Sequence, residues 1–175
     1  MATKARATAP AARSGNAIRD SALGLVPETL EAIITLNATV WQRSRVSAAL
    51  LEIVRLRNAR TVNCVYCKSV RYEVARAEGL TEERAAMIDA DYAASALSER
   101  EKLAIALADA FLGYPAGVSA ALAARLRREF PPAELASLLV ALITFNFASR
   151  TAVAIGGMPQ EPLPITLLPL SATSA

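Results

Sequence analysis

The chain holds two cysteines, Cys64 and Cys67, spaced as CxxC in the stretch "TVNCVYCKSVRYEVARAEG", and it contains no histidine. Four chemistries suit such a pair. A structural zinc site needs four ligands, so two thiols without an imidazole could hold zinc only if it were shared between subunits. A structural disulfide closing so short a loop adds little stability. Two buried, inert thiols are also possible. The fourth is a redox dithiol, in which one thiolate attacks an oxidised substrate and the second thiol resolves the product as a disulfide. This is the favoured reading, and it calls for no metal and no organic cofactor.

The surrounding residues supply a physical basis for thiol activation. Asn63 can cap a helix that starts at Cys64 and ends at Gly79, a C′ glycine. Unpaired amides and the helix dipole then favour a thiolate at Cys64. Arg71 falls four residues after Cys67 on the same helical face, where a fixed cation lowers a thiol pKa, while Lys68 points elsewhere. Thiol chemistry also moves protons. Glu52, twelve residues before Cys64, is the only acid between Glu31 and Glu73. Small neighbours (Ala48, Ala49, Ala59) leave room for a pocket beside it. Glu52 is either a proton-transfer group or the i+3 partner of Arg55.

The elements that position these residues read as a train of helices. Pro27 opens one with apolar residues at Leu30, Ile33, Ile34 and Val40. Ser47 caps "AALLEIVRLRNAR", and Thr81 caps "EERAAMIDADY". Ser98 and Glu101 form a capping box whose helix runs to Gly113. Ser119 caps "AALAARLRREF", and Pro131–Pro132 open a long final helix that ends at Gly156–Gly157. No strand and no repeat is evident. The organisation expected is a disordered basic tail over 1–20, a single all-α domain over 21–158, and a Pro-rich, extended C-terminal tail over 159–175.

Composition narrows the function classes. Apolar residues make up 54% of the 175-residue chain, an excess best covered between subunits. The formal charge of +3 resides in residues 1–20, with Lys4, Arg6, Arg13 and Arg19 against Asp20. The rest balances, which argues against a nucleic-acid-binding face. Residues 1–20 lack the apolar segment of a secretory signal. The run "LASLLVALITFNFASRTAVAIGG" is long enough to cross a membrane, but Asn146, Ser149 and Arg150 favour a buried core helix. A cytoplasmic protein without membrane contact is expected. Asn146 and Arg150, at i+4, fit a structural hydrogen-bonded pair better than a pocket lining, and Trp41 and Tyr72 fit core or interface aromatics. No phosphate-binding glycine loop, serine-nucleophile motif or metal cluster is present.

The segment "ALLEIVRLRNARTVNCVYCKSVRYEVARAEGLTEE" resembles the alkylhydroperoxidase AhpD-like branch of the carboxymuconolactone decarboxylase family, with similarity extending over residues 25–157. The shared pattern is a Glu, about a dozen residues, CxxC, and a His or other polar group four residues on. The resemblance implies an AhpD-like helical fold assembled as a homo-oligomer, a trimer or hexamer. It implies a thiol-dependent peroxidase or thiol–disulfide oxidoreductase, taking a small hydroperoxide or disulfide and drawing electrons from a thiol donor. By it, Cys67 is the attacking cysteine, Cys64 the resolving one and Glu52 the proton-relay acid. Helix-dipole reasoning instead favours Cys64 as the more acidic thiol. Arg71 stands where the family has its downstream histidine, and Tyr66 where some members have a histidine between the cysteines. Arginine keeps its proton, so the relay runs through Glu52, Tyr66 or water. Two alternatives remain: a non-catalytic oligomeric scaffold with inert thiols, and a decarboxylase-like enzyme acting on a small organic acid, against which the CxxC pair counts.

Overall fold

The computed structural model describes residues 4–8, 18–89, 91–159 and 163–169. Helix α1 (Pro27–Arg43) begins with Pro27 in its first turn, where the fixed φ of proline suits a helix and no amide is missed. Helix α2 (Ala48–Val62) starts behind Ser47, whose Oγ accepts from Leu50 N at 3.2 Å. It ends at Asn63 in the left-handed conformation. Helix α2 is the centre of the molecule. Leu50, Leu51, Ile53, Val54, Leu56 and Ala59 are all buried, and so are the polar Glu52, Arg55 and Asn58. It lies between α6 (Glu99–Leu112) and α8 (Pro132–Ile155). Helices α5 (Glu82–Ala86) and α7 (Ala120–Glu129) complete the outer shell with two short 3-10 turns. The capping box at Ser98 and Glu101 and the Ser119 cap form as their sequences require.

The region after α2 departs from the expected single helix. Asn63 is the C-cap of α2 rather than the N-cap of a following helix. Cys64 is itself the N-cap of α3 (Val65–Ser69), which is only five residues long. The chain then forms a strand, β1 (Val70–Tyr72), before α4 (Glu73–Ala77), and Gly79 follows with a positive φ of 90°. A strand was not expected. Val70 and Tyr72 suit extended backbone, but what completes the strand lies at the other end of the chain. Residues 166–168 form β2, which pairs in parallel with β1, Leu167 opposite Arg71. The Pro-rich segment thus returns to the cysteine corner, and its Leu168 packs against the core. Residues 160–162 and 170–175 of that segment lie outside the described residues.

Of the basic N-terminal tail, residues 1–3 and 9–17 lie outside the described residues. Residues 4–8 run over the C-terminus of α8. Arg6 N donates to Ile155 O, and its guanidinium donates to the carbonyls of Val153 and Ala154. These are orphan acceptors of a helix end, so the side chain acts as a cap. A Cβ on Gly156 would stand 2.8 Å from Lys4 O, which fixes glycine at that close approach.

Helix α8 is two-faced. Leu138, Ala141, Leu142 and Phe145 are buried in the core. Its polar residues find partners: Asn146 Nδ2 donates to Asn58 Oδ1, Asn58 Nδ2 to Ser149 Oγ, and Arg150 Nε to Asn146 Oδ1. The outer face is another matter. Only a third of the most apolar stretch of this helix is buried, and Leu139, Val140, Ile143 and Phe147 are exposed. The expectation of a buried core helix therefore holds for one face alone.

Candidate active site

The cysteine corner is built by the end of α2, the single turn of α3 and strand β1. Cys64 and Cys67 are joined in a disulfide with their Cα atoms 5.3 Å apart. Cys64 is completely buried, whereas Cys67 is half-buried. Cys64 Sγ accepts a hydrogen bond from Cys67 N at 3.3 Å. Exposure distinguishes the two cysteines, Cys67 being the more open.

Below the corner lies a buried ion pair. Arg55 donates from Nε to Glu52 Oε2 and from Nη2 to Glu52 Oε1, each at 2.6 Å. The same guanidinium donates to Cys67 O at 2.8 Å and to Val70 O at 2.6 Å. Burial alone would depress the Arg55 pKa. The charge of Glu52 and its hydrogen bonds outweigh this, so the pKa stands above its ordinary value and the group stays ionised. Arg55 lies 5.5 Å from the ring centroid of Tyr72, and Tyr72 stacks with Trp41. Burial pushes the Tyr72 phenol up, Arg55 opposes this and Glu52 adds to it.

The structure brings Glu52 to the site through Arg55, and the i+3 pair is formed. One sequence-predicted residue, Arg71, stands apart from it. Arg71 is not on a helical face with the cysteines, because α3 ends at Ser69 and Arg71 belongs to β1. Its guanidinium donates to both oxygens of Glu82 and to the carbonyls of Lys68 and Val70. Tyr66, between the cysteines, is 44% exposed. Lys68 turns away and donates to Asn63 Oδ1. Arg55 is the site residue that sequence reasoning undervalued. Its signal was its position three residues after the one acid in a basic stretch. Nothing in the sequence pointed to the carbonyls it holds. Among the described residues, no cluster of His, Cys, Asp or Glu has the form of a metal site.

The model of the carboxymuconolactone decarboxylase family matches residues 27–110, which hold Glu52, Arg55 and both cysteines. The AhpD-like fold recurs in solved structures. A putative antioxidant defence protein AhpD from Agrobacterium tumefaciens is 23% identical, with 77% of this chain and 93% of that one covered at a TM-score of 0.65. A peroxidase-related protein from Silicibacter sp. TM1040 is 19% identical, with 82% and 75% covered at a TM-score of 0.67. A cysteine-to-alanine variant of the debrominase Bmp8, in complex with 2,3,4-tribromopyrrole, is 15% identical, with 90% and 95% covered at a TM-score of 0.73. At these identities the likeness is one of fold. No protein of curated function matches the chain.

Proposed function

We propose that the protein is a thiol-dependent peroxidase or thiol–disulfide oxidoreductase that cycles Cys64 and Cys67 between dithiol and disulfide. The carrying observation is the asymmetry of the pair, with Cys67 half-buried and Cys64 fully buried. In the oxidative half, the Cys67 thiolate attacks the terminal oxygen of a hydroperoxide. An S–O bond forms, the O–O bond breaks, and the departing alkoxide takes up a proton to leave as an alcohol. The Cys64 thiolate then attacks the Cys67 sulfenic acid. The S–S bond forms, and hydroxide leaves and is protonated to water. In the reductive half, a donor thiolate attacks the accessible Cys67 Sγ and Cys64 departs as a thiolate, with Cys67 N–H as its hydrogen-bond donor. The donor's second thiol completes the two-electron return. Glu52 is the proton-relay group in this reading, acting from within its pair with Arg55. Arg71, committed to Glu82, takes no part. Such a cycle suits a reducing compartment, consistent with a cytoplasmic protein.

The full chain, reduced with a dithiol, should consume an organic hydroperoxide at a rate that depends on the dithiol. Cys67→Ser should abolish both half-reactions. Cys64→Ser should allow one turnover and stop at a sulfenic acid that dimedone traps. A wild-type Cys67 no faster towards hydroperoxide than a free thiol would overturn the reading. The substrate panel should include a brominated pyrrole. A dithiol can replace C–Br by C–H while it becomes a disulfide and releases bromide with a proton, so the same residues serve either acceptor.

A further inference from the structure

The charge balance of the cysteine corner leaves one cation unused by the thiol cycle. Arg55, Arg57, Arg60, Lys68 and Arg71 are the cations between residues 55 and 71. Each of the arginines is neutralised by a carboxylate. Arg55 pairs with Glu52, Arg57 with Asp109, Arg60 with Asp89 and Arg71 with Glu82. Lys68 is the exception. Among the described residues its Nζ has one partner, the neutral Asn63 Oδ1 at 2.7 Å. An ammonium carries three N–H groups, so the others stay open to solvent or a ligand. Glu73, the next acid along the chain, stands beyond β1 in the first turn of α4 and makes no ion pair with Lys68.

The placement of this charge matters as much as its surplus. Asn63 and Lys68 bracket the CxxC turn. Lys68 N donates to Cys64 O at 3.0 Å and Nζ donates to Asn63, so the side chain is drawn back along the turn. Asn63 is itself held in a left-handed backbone conformation with φ 59°. The ammonium is therefore placed before a ligand arrives, and less side-chain freedom is lost on binding. Lys68 follows Cys67 directly, which keeps ammonium and sulfur on the order of 10 Å apart, about one Debye length at 0.1 M salt. The exposed ring of Tyr66 precedes Cys67, the more open of the cysteines.

We infer that Lys68 determines specificity and that the acceptor reduced at Cys67 is an anion, a hydroperoxide carrying a carboxylate a few carbons from its peroxide group. The carboxylate binds at Lys68 Nζ while the peroxide faces Cys67. The ring of Tyr66 offers an apolar surface to the carbons between. The arginines cannot serve in its place, because their charges are already matched by Glu52, Asp109, Asp89 and Glu82. That the acceptor is a hydroperoxide rests on the thiol-peroxidase reading; that it is an anion does not.

Alkylation separates the two parts. In the full chain with Cys64→Ser, Cys67 is the one thiol. Iodoacetate and iodoacetamide attack it with loss of the same iodide and differ in charge. The ratio of their rates, set against the ratio for 2-mercaptoethanol, reads the charge beside the sulfur. With Lys68 present the ratio should stand up to about fivefold above that of the small thiol, the upper end for an exposed ion pair. It should fall as ionic strength rises. Lys68→Met should bring it down to the small-thiol value, and Lys68→Arg should restore it. The dithiol-reduced wild type should then show a lower KM for a tertiary hydroperoxide with a terminal carboxylate than for its methyl ester, and Lys68→Met should remove that preference. A ratio equal to that of 2-mercaptoethanol would overturn the anion site. So would a Lys68→Met chain that slows both reagents alike, since the ammonium would then act on the thiolate and not on the ligand. A raised ratio with acid and ester consumed equally well would overturn the substrate class. A raised ratio in a chain that consumes neither hydroperoxide faster than a free thiol would strike the peroxidase reading and leave Lys68 as the anion-recognising residue.

Discussion

Glu52–Arg55 and Glu101–Arg84 join the same two residue types, and both carboxylates come from the first two turns of a helix. Their surroundings differ. In the first pair both side chains are buried, and the guanidinium spends its remaining donors on the carbonyls of Cys67 and Val70. In the second, Arg84 is partly exposed, and Glu101 divides its oxygens between that arginine and the Ser98 backbone. The buried pair uses four of the five guanidinium N–H groups and in turn holds the cysteine corner. The outer pair closes one helix end. Between them stands Arg71–Glu82, with a buried arginine and a half-exposed carboxylate. Burial, rather than residue type, decides how much each pair controls.

Breaking the buried pair should have the largest effect. Arg55→Met leaves Glu52 charged without a partner inside the protein and removes the donors to two carbonyls. Loss of one partner of a buried pair typically costs about 3–5 kcal/mol, which a urea midpoint would register. The double variant Glu52→Leu/Arg55→Met should be more stable than either single variant, because no lone charge remains buried. Its thiol chemistry should stay impaired, since nothing then holds Cys67 O. A double variant no more stable than Arg55→Met alone would show that the carbonyl contacts, and not the charges, dominate. Glu52→Gln separates relay from positioning. A general acid–base role is worth about 10²–10⁴-fold in turnover, and the variant should lose that factor in the hydroperoxide step. A Glu52→Gln enzyme of normal rate would remove the relay while leaving the Cys67–Cys64 cycle standing.

The intermediate pair gives a sharper, smaller test. Arg71 lies close to Cys67 in sequence, but its N–H groups are taken by Glu82, Lys68 O and Val70 O. Arg71→Met should therefore cost stability, on the order of 1–3 kcal/mol for the acceptors it abandons. The pH profile for alkylation of reduced Cys67 should not move. An upward shift would show that the charge of Arg71 reaches the thiolate despite its partners.

These three pairs also mark what the sequence could disclose. Helix starts at Pro27, Ser47, Thr81, Ser98, Ser119 and Pro132 were legible, because each cap is settled by residues within a turn. The closeness of the CxxC sulfurs and the Glu52–Arg55 pairing were legible through type and spacing. The break after Ser69 was not, because the strand there is completed by residues 166–168 from the far end of the chain. That break also moved Arg71 off the cysteine face, and its partner Glu82 comes from a different helix. Asn58 could not be anticipated either. It is fully buried and bridges Asn146 and Ser149 of α8, a contact that exists only once α2 and α8 pack.

The outermost pair should respond least, with a sign that can be worked out. At the start of α6, Ser98 Oγ accepts from Glu101 N, while Ser98 N and its hydroxyl donate to Glu101 Oε2. Burial would raise the Glu101 pKa, but the Ser98 backbone, Arg84 and the Ser98 hydroxyl together hold it below the usual carboxylate range. Glu101 thus releases its proton more readily in the folded chain than in the unfolded one. Its contribution is complete above the ordinary Glu value, about 4.3, and is lost as the pH falls through the depressed folded value. Ser98→Ala should cost about 1 kcal/mol at neutral pH, the usual worth of an N-cap. Glu101→Gln keeps the shape of the box without the titrating proton. Its stability relative to wild type should be lower at neutral pH, and the gap should close as the pH drops below about 4. Urea unfolding of both chains across that range is the measurement. A gap that stays constant into acid would mean that the box holds through its shape alone, and that the Glu101 charge adds nothing to the start of α6.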